Sequence, residues 1–195
     1  MKNNIDIWKD AVKPVVVLGA VCLIITGLLA LTNQFTAPVI EKNAREKADA
    51  SRRVVLADGA DFEPVTLDES LMAEKKVEEV YRAGNGAGYT VTTALNGYDG
   101  PVKIMFGINA EGEIAGMVVL EHNETKGLGE RITGEDFQSQ FIGKSGTLSL
   151  VKGGASGDKE IAALAGATIS SRCVTDSANV ALEMAAMAMA EKGES

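Results

Sequence analysis

Cysteine and histidine are scarce in this sequence. Its 195 residues contain two cysteines, Cys22 and Cys173, and one histidine, His122. A structural zinc site or an iron–sulfur cluster needs several such ligands in close spacing, so both kinds of site are excluded. A Ser–His–Asp triad would have to use His122, and no nucleophile elbow accompanies it. Cys22 lies in an apolar run far from Cys173, which argues against a disulfide between them.

Basic residues are also outnumbered. The chain has 19 Lys and Arg against 27 Asp and Glu, which gives a formal net charge of −8. Residues 1–32 hold three Lys and two Asp, so the excess negative charge lies in the remainder. Such a surface repels phosphate backbones, and we exclude nucleic acid as a partner. The length suits one domain plus an accessory segment.

One apolar segment, PVVVLGAVCLIITGLLAL at residues 14–31, contains no charged side chain. A helix of this length spans about 27 Å, close to the ~30 Å core of a bilayer. A cleaved signal peptide would need small residues at its exit, but LALTNQFTAP has no clear A-x-A pattern. A lipoprotein signal would need a small residue before Cys22, where Val21 stands. We therefore predict an N-terminal tail (residues 1–13) and an uncleaved transmembrane anchor (residues 14–32).

A connector is predicted between this anchor and the domain. Thr36, Ala37 and Pro38 form a helix-start signal, and the helix that follows has only a thin apolar face. We expect a solvated connector helix over residues 33–57. Basic residues flank the anchor on both sides, so the positive-inside rule leaves its orientation open.

Residues 58–195 are predicted to form an α+β domain, a small, mostly antiparallel sheet flanked by helices. Residues 58–69 are loop-like, and residues 71–83 begin as helix and end as strand. Residues 88–100 contain an alternating strand, and residues 103–121 form a hairpin with its turn at 109–112. A short helix at 135–143, a strand at 147–151 and a last helix at 174–192 complete the domain.

Two loops carry the chemistry. In HNETKGLGERI (122–132), Gly127 and Gly129 let the backbone approach a ligand closely, and Thr125 offers a hydroxyl. In LAGATISSRCVT (164–175), Gly166 and Ala167 keep bulk away from Thr168. Residues 170 and 171, both serine, are candidate caps for the helix that follows, whose N-terminus would stabilise a phosphate. Plain helix capping without any anion is the alternative at this stage.

Together these loops resemble the FMN-binding domain of the G subunit of Rnf-type ferredoxin:NAD oxidoreductases, a relative of the C subunit of sodium-translocating NADH:quinone oxidoreductases. The family's first motif is usually H-x-E-T-P-G-L-G, which matches His122 to Gly129. Its second is S-G-A-T followed by Ser or Thr, which matches Ala165 to Ser171. The two motifs occur in the family's order behind one N-terminal span, and the resemblance covers nearly the whole chain.

The resemblance implies FMN joined through its phosphate to the hydroxyl of Thr168, by a separate flavin transferase that uses FAD. The other cofactor-binding residues that it implies, or that surround Thr168, are Thr125, Gly127, Leu128, Gly129, Lys152, Gly166, Ala167, Ser170 and Ser171. It also implies an electron-transfer subunit without its own catalytic site, within a multisubunit ion-translocating complex of the cytoplasmic membrane. The C-terminal domain is then expected on the extracytoplasmic side.

Three positions depart from the family pattern. Lys126 replaces a proline, Ala165 replaces a serine, and Ala162 stands where the flavin transferase signature often has an acid. The departures at Ala162 and Ala165 are the best support for the alternative, a membrane-anchored binding or assembly module without covalent flavin. A hydrolase with a threonine nucleophile would need a nearby base that the sequence does not show.

Overall fold

The computed structural model describes residues 13–193, without the side chains of residues 38–45 and 192–193. The chain divides between Lys47 and Ala48 into two compact units. Apart from Lys13, the predicted N-terminal tail lies outside the described residues.

One continuous helix, α1 (Lys13–Val55), covers both the predicted anchor and the predicted connector. Within its portion Lys13–Ala37, an 18-residue stretch has a mean hydropathy of 2.7, so this portion is long and apolar enough to cross a bilayer. The predicted helix start at Thr36 is wrong. The Thr36 hydroxyl donates a 2.9 Å hydrogen bond to the Thr32 carbonyl, one turn back, instead of capping a new helix.

The second unit is built on an antiparallel sheet of five strands that follow one another in sequence order. The strands are β1 (Phe62–Pro64), β2 (Val77–Ala83), β3 (Gly88–Asn96), β4 (Pro101–Asn109) and β5 (Ile114–Glu121). The predicted hairpin is confirmed as β4 and β5, with Phe106 opposite Met117. Short turns join β2 to β3, β3 to β4 and β4 to β5 because neighbouring strands run in opposite directions, whereas a short helix lies in the longer connection between β1 and β2.

Both faces of the sheet are covered. One face packs against α4 (Thr168–Gly193), whose small residues Ala178 and Ala181 are fully buried. On the same face, the Tyr89 hydroxyl donates a 3.3 Å hydrogen bond to the Ala188 carbonyl. On the other face, the end of α1 lies so close that a Cβ at Gly107 would collide with the Val55 carbonyl. The first six residues of β3 are therefore all buried, on both faces, which is the behaviour of a central strand.

Shorter elements lie around this sheet. They are α2 (Glu69–Glu74), a 3-10 helix (Gly129–Thr133), α3 (Glu135–Gln138), a second 3-10 helix (Ser139–Phe141), and the strands β6 (Ser149–Val151) and β7 (Glu160–Ala162). The sequence does not predict β1 or β7, because three residues are too few for a periodic signal. Strands β6 and β7 pair in parallel, and β7 leads directly into the turn before Thr168. The α+β fold class is confirmed.

Candidate functional site

The two predicted loops meet at the start of α4. Leu128 of the first loop lies against Gly166 of the second, close enough that a Cβ at Gly166 would stand 3.2 Å from the Leu128 Cδ2. Arg131 Nη1 donates a 3.5 Å hydrogen bond to the Ala165 carbonyl. The two motifs therefore form one site although 35 residues, 130–164, lie between them in sequence.

A tight turn sets Thr168 at the start of α4. The Ala167 N–H donates to the Leu164 carbonyl at 3.0 Å, and between them Gly166 has a φ of +81°. This left-handed conformation is open to glycine at little steric cost. The helix begins at Thr168, six residues before the predicted start at Val174. Thr168 is therefore a first-turn residue, half-buried, beside the open end of the helix.

The predicted caps, Ser170 and Ser171, do not cap α4, because both lie within its first turn. The Ser170 hydroxyl donates a 2.5 Å hydrogen bond to Glu124 Oε2. The Ser171 hydroxyl donates to the Ala167 carbonyl at 2.9 Å and accepts the Leu164 N–H at 3.0 Å. Ser171 therefore holds the preceding loop, Ser170 holds Glu124 of the first loop, and neither hydroxyl caps the helix N-terminus.

At this terminus, three backbone N–H groups have no hydrogen-bond acceptor among the described residues. Ser171 N donates to the Ala167 carbonyl. Within residues 13–193, no acceptor pairs with the N–H groups of Thr168, Ile169 and Ser170, and the Thr168 hydroxyl also has no hydrogen-bond partner. Unpaired N–H groups at a helix N-terminus carry a partial positive charge of about half an electron and bind anions.

A cavity of about 490 Å³ opens at this point. Its lining consists of Tyr98, Glu124, Thr125, Leu128, Gly129, Gly166, Ala167, Thr168, Ile169 and Ser170. The volume lies within the usual range of cofactor pockets. Tyr98, Leu128 and Ile169 are large, exposed apolar or aromatic side chains on the cavity wall, whereas Thr168 stands at the unpaired N–H groups. The lining thus combines N–H donors of a kind that suits an anion with apolar and aromatic side chains of a kind that suits an aromatic ring.

The structure brings together seven of the ten predicted site residues in this lining: Thr125, Leu128, Gly129, Gly166, Ala167, Thr168 and Ser170. Gly127 lies in the same loop, where its N–H donates to Glu130 Oε2 at 3.2 Å. Ser171 is fully buried behind the lining, and the exposed Lys152 follows β6 outside it. The cofactor roles of these ten residues stay predictions.

Sequence reasoning missed Tyr98 and Ile169 and assigned Glu124 no cofactor role. Tyr98 comes from the turn between β3 and β4, which no motif marks, although an exposed tyrosine inside N-G-Y-D-G was a signal. Ile169 directly follows Thr168, and its exposure at the start of a helix was hidden by the late predicted helix start. Tertiary structure alone brings the turn of Tyr98 to the two motifs.

Comparisons with known proteins agree with this site. A family model described as the FMN-binding domain matches residues 97–183, and one described as the RnfG N-terminal region matches residues 1–53. The crystal structure of Shewanella oneidensis NqrC has a TM-score of 0.54 at 20% identity, covering 74% of each chain, which shows a shared fold.

Two relatives match almost the whole chain. The G subunit of the Na(+)-translocating ferredoxin:NAD(+) oxidoreductase complex of Acetobacterium woodii is 36% identical, over 94% of this chain and 95% of that protein. The G subunit of the ion-translocating oxidoreductase complex of Methanosarcina acetivorans is 33% identical, over 90% of this chain and 94% of that protein. By sequence, site and fold, the chain therefore belongs to the family of G subunits of ion-translocating oxidoreductase complexes.

Proposed function

We propose that this chain is an electron-carrying subunit of a membrane-bound, ion-translocating ferredoxin:NAD oxidoreductase. In this proposal, FMN is joined through its phosphate to Thr168 Oγ1. One observation carries it: the Thr168 hydroxyl is unpaired, lines the cavity, and stands beside three N–H groups that lack acceptors among the described residues. The 36% identity to the Acetobacterium woodii protein over nearly full length supports the assignment to such a complex.

The geometry of α4 supports the proposed position of the phosphate. A phosphodiester on Thr168 would place its oxygens at the start of the helix, where the N–H groups of Thr168, Ile169 and Ser170 provide donors. A flavin transferase would form the bond from FAD. The Thr168 hydroxyl oxygen bonds to the FMN phosphorus and releases its proton to solvent, the pyrophosphate bond of FAD breaks, and AMP leaves with the displaced oxygen.

When bound, FMN supplies the redox chemistry, which the protein controls by position and electrostatics. Tyr98, Leu128 and Ile169 would shield the ring from water on the cavity wall, and Thr125 would offer it a hydroxyl. We propose that the chain has no separate catalytic site, because carrying electrons through a tethered flavin requires no side chain that transfers protons. Lys152 is proposed to add a cation near the flavin from the loop after β6.

The apolar helix portion Lys13–Ala37 is proposed to anchor the chain in the cytoplasmic membrane as one span. We place the C-terminal domain on the extracytoplasmic side. A covalent bond suits that location, because FMN released there could not be replaced from the cytoplasmic pool. The other subunits of the complex and the flavin transferase are the expected partners. Beyond Lys13 at its start, this span has no charged side chain, so it does not itself offer a path for an ion.

The test is a denaturing gel under ultraviolet light, combined with intact mass, on the chain produced with and without a flavin transferase. We expect a fluorescent band and a mass increment of one FMN less one water, both lost in Thr168→Ala. Thr125→Ala is the matched control, since it removes the hydroxyl of the first motif and should keep the adduct. A native protein without an adduct would instead favour a non-redox, membrane-anchored module.

A further inference from the structure

Glu124 is a buried carboxylate in the wall of the cavity. Only 5% of its surface is exposed. Its Oε1 accepts the Tyr98 N–H at 2.7 Å and the Asp99 N–H at 3.4 Å, while Oε2 accepts the Ser170 hydroxyl at 2.5 Å. One side chain thereby joins the turn between β3 and β4 to the first turn of α4.

Two glycines beside the Glu124 side chain leave it the space that a Cβ would occupy. A Cβ at Gly97 would collide with Oε1, and a Cβ at Gly129 would collide with Oε2. The Glu124 N–H is itself held, because it donates to His122 Nδ1 at 3.2 Å. The carboxylate is thus fixed by contacts from both motifs and from the turn that carries Tyr98.

No cation neutralises this carboxylate among the residues that the structure describes. The ion pairs there join other side chains, and Glu124 takes part in none of them. Burying a charge without an opposite charge is costly, and three hydrogen-bond donors offset only part of that cost. No side-chain cation among the described residues therefore offsets the Glu124 carboxylate in the cavity wall, where the dielectric is low.

We propose that Glu124 is the positioning residue of this cavity and that its charge lowers the reduction potential of flavin bound there. This rests on the function proposed above. Reduction adds negative charge to a flavin, and a fixed carboxylate in the same wall disfavours that change. The N-terminus of α4 has the opposite sign but only about half a charge, and in this proposal it faces the anionic phosphate.

The first experiment measures the midpoint potential of the full-length, flavin-loaded protein in detergent. Glu124→Gln keeps the shape and an acceptor for Tyr98 but removes the charge, so we expect a more positive potential. Glu121→Gln is the matched control: it makes the same chemical change at an exposed residue of β5 outside the lining, and its potential should equal that of the parent. Equal potentials in parent and Glu124→Gln would overturn the electrostatic role.

A second variant tests the same charge through a shift of the potential in the opposite direction. Ser170→Ala keeps the carboxylate and removes one of its donors, so the charge is less offset and the potential should become more negative. This variant decides the question if Glu124→Gln fails to fold or to load flavin. A potential unchanged in Ser170→Ala would then overturn the electrostatic role.

The positioning role is measured on the flavin-free, full-length protein by hydrogen exchange. Glu124→Ala removes the acceptor of the Tyr98 and Asp99 N–H groups, so these amides should exchange about tenfold faster, with Glu121→Ala unchanged. Unchanged exchange would overturn the positioning role. Absence of covalent flavin in the parent protein would refute the proposed function, and this measurement would still decide whether Glu124 orders the site.

Discussion

Arg52 lies over the ring of Tyr81, with its guanidinium carbon 3.6 Å from the ring centroid. The same guanidinium pairs with Asp49 at 2.7 Å and with Glu79 at 2.8 Å. Arg52 is 4% exposed, whereas both carboxylates are substantially exposed. The last turns of α1 are therefore fixed to β2 by a buried cation that packs as well as pairs.

Arg52→Ala should lower the free energy of unfolding of the full-length chain by about 2 kcal/mol. Most of this loss comes from the desolvated cation–π contact and the buried stem, because Asp49 and Glu79 stay solvated without their partner. Chemical denaturation in detergent, followed by far-ultraviolet circular dichroism, measures it. The control is Arg53→Ala, which removes an exposed neighbour of the same type. A loss as large in Arg53→Ala would show that the buried contacts are not the cause.

Cys173 should resist alkylation while the protein is folded. Burial in α4 raises the pKa of its thiol to about 11, and the thiol donates a 3.4 Å hydrogen bond to the Leu95 carbonyl. At pH 8 the reactive thiolate is therefore rare in the folded state and more abundant after unfolding.

Labelling with a maleimide in a Cys22→Ser background, monitored by mass, checks this. We expect slow labelling at pH 8 that becomes fast in denaturant. The raised pKa of Cys173 also makes stability depend on pH. Its contribution to the folded state is fully present below the pKa of the unfolded thiol, near 9, and is lost as the pH rises through about 11. Fast labelling of the native protein would contradict the buried position.

Whether the sequence predicts a helix or strand of this fold depends on the length of that element. The hairpin of β4 and β5 was predictable because nine and eight residues with a turn between them give a clear period. Strand β7 has three residues, and its pairing with β6 depends on contacts distant in sequence. The start of α4 was predicted too late because Gly166, Thr168 and two serines favour turns and caps locally, whereas their tertiary hydrogen bonds place the serines inside the helix.

The residues of the site are likewise predictable only where a local motif marks them. The two motifs identify their own loops, so Thr168, Leu128 and Gly129 were predictable as members of one site. Tyr98 was not, because a turn between two strands carries no signal of its neighbours in space. Lys152 follows a short strand, and the residues around it do not indicate how far it lies from Thr168.

The departures from the family pattern predict how efficiently the chain is flavinylated. Ala162 ends β7 half-buried, with its N–H held by Gln140 Oε1 at 2.8 Å, and Ala165 is exposed in the turn. Ala162→Asp restores the usual acid and should increase the flavinylated fraction when the transferase is limiting. Ala165→Ser restores a hydroxyl and should have a smaller effect. In-gel fluorescence per unit protein measures both, and a decrease in Ala162→Asp would contradict this account.

The first motif uses glycine for two different reasons: lack of space at Gly129 and backbone conformation at Gly127. At Gly129 a Cβ would meet the Glu124 carboxylate and stand 2.8 Å from the Ser170 hydroxyl, so Gly129→Ala should cost roughly 1–3 kcal/mol and displace both groups. At Gly127 the space is open and only a φ of +74° opposes a side chain, at a cost of roughly 1–2 kcal/mol. The two variants should therefore lose similar amounts of stability, so that any difference in their flavin content reports on the Glu124 and Ser170 contacts.

We expect Gly129→Ala to lower the flavinylated fraction strongly, because Ser170 belongs to the turn that presents Thr168, and Gly127→Ala to lower it little. Thermal unfolding of the flavin-free proteins gives the stability, and intact mass gives the flavinylated fraction. Equal flavin loss in the two variants at equal stability would mean that loading depends on the loop as a whole. The contact between Glu124 and Ser170 would then have no specific part in presenting Thr168.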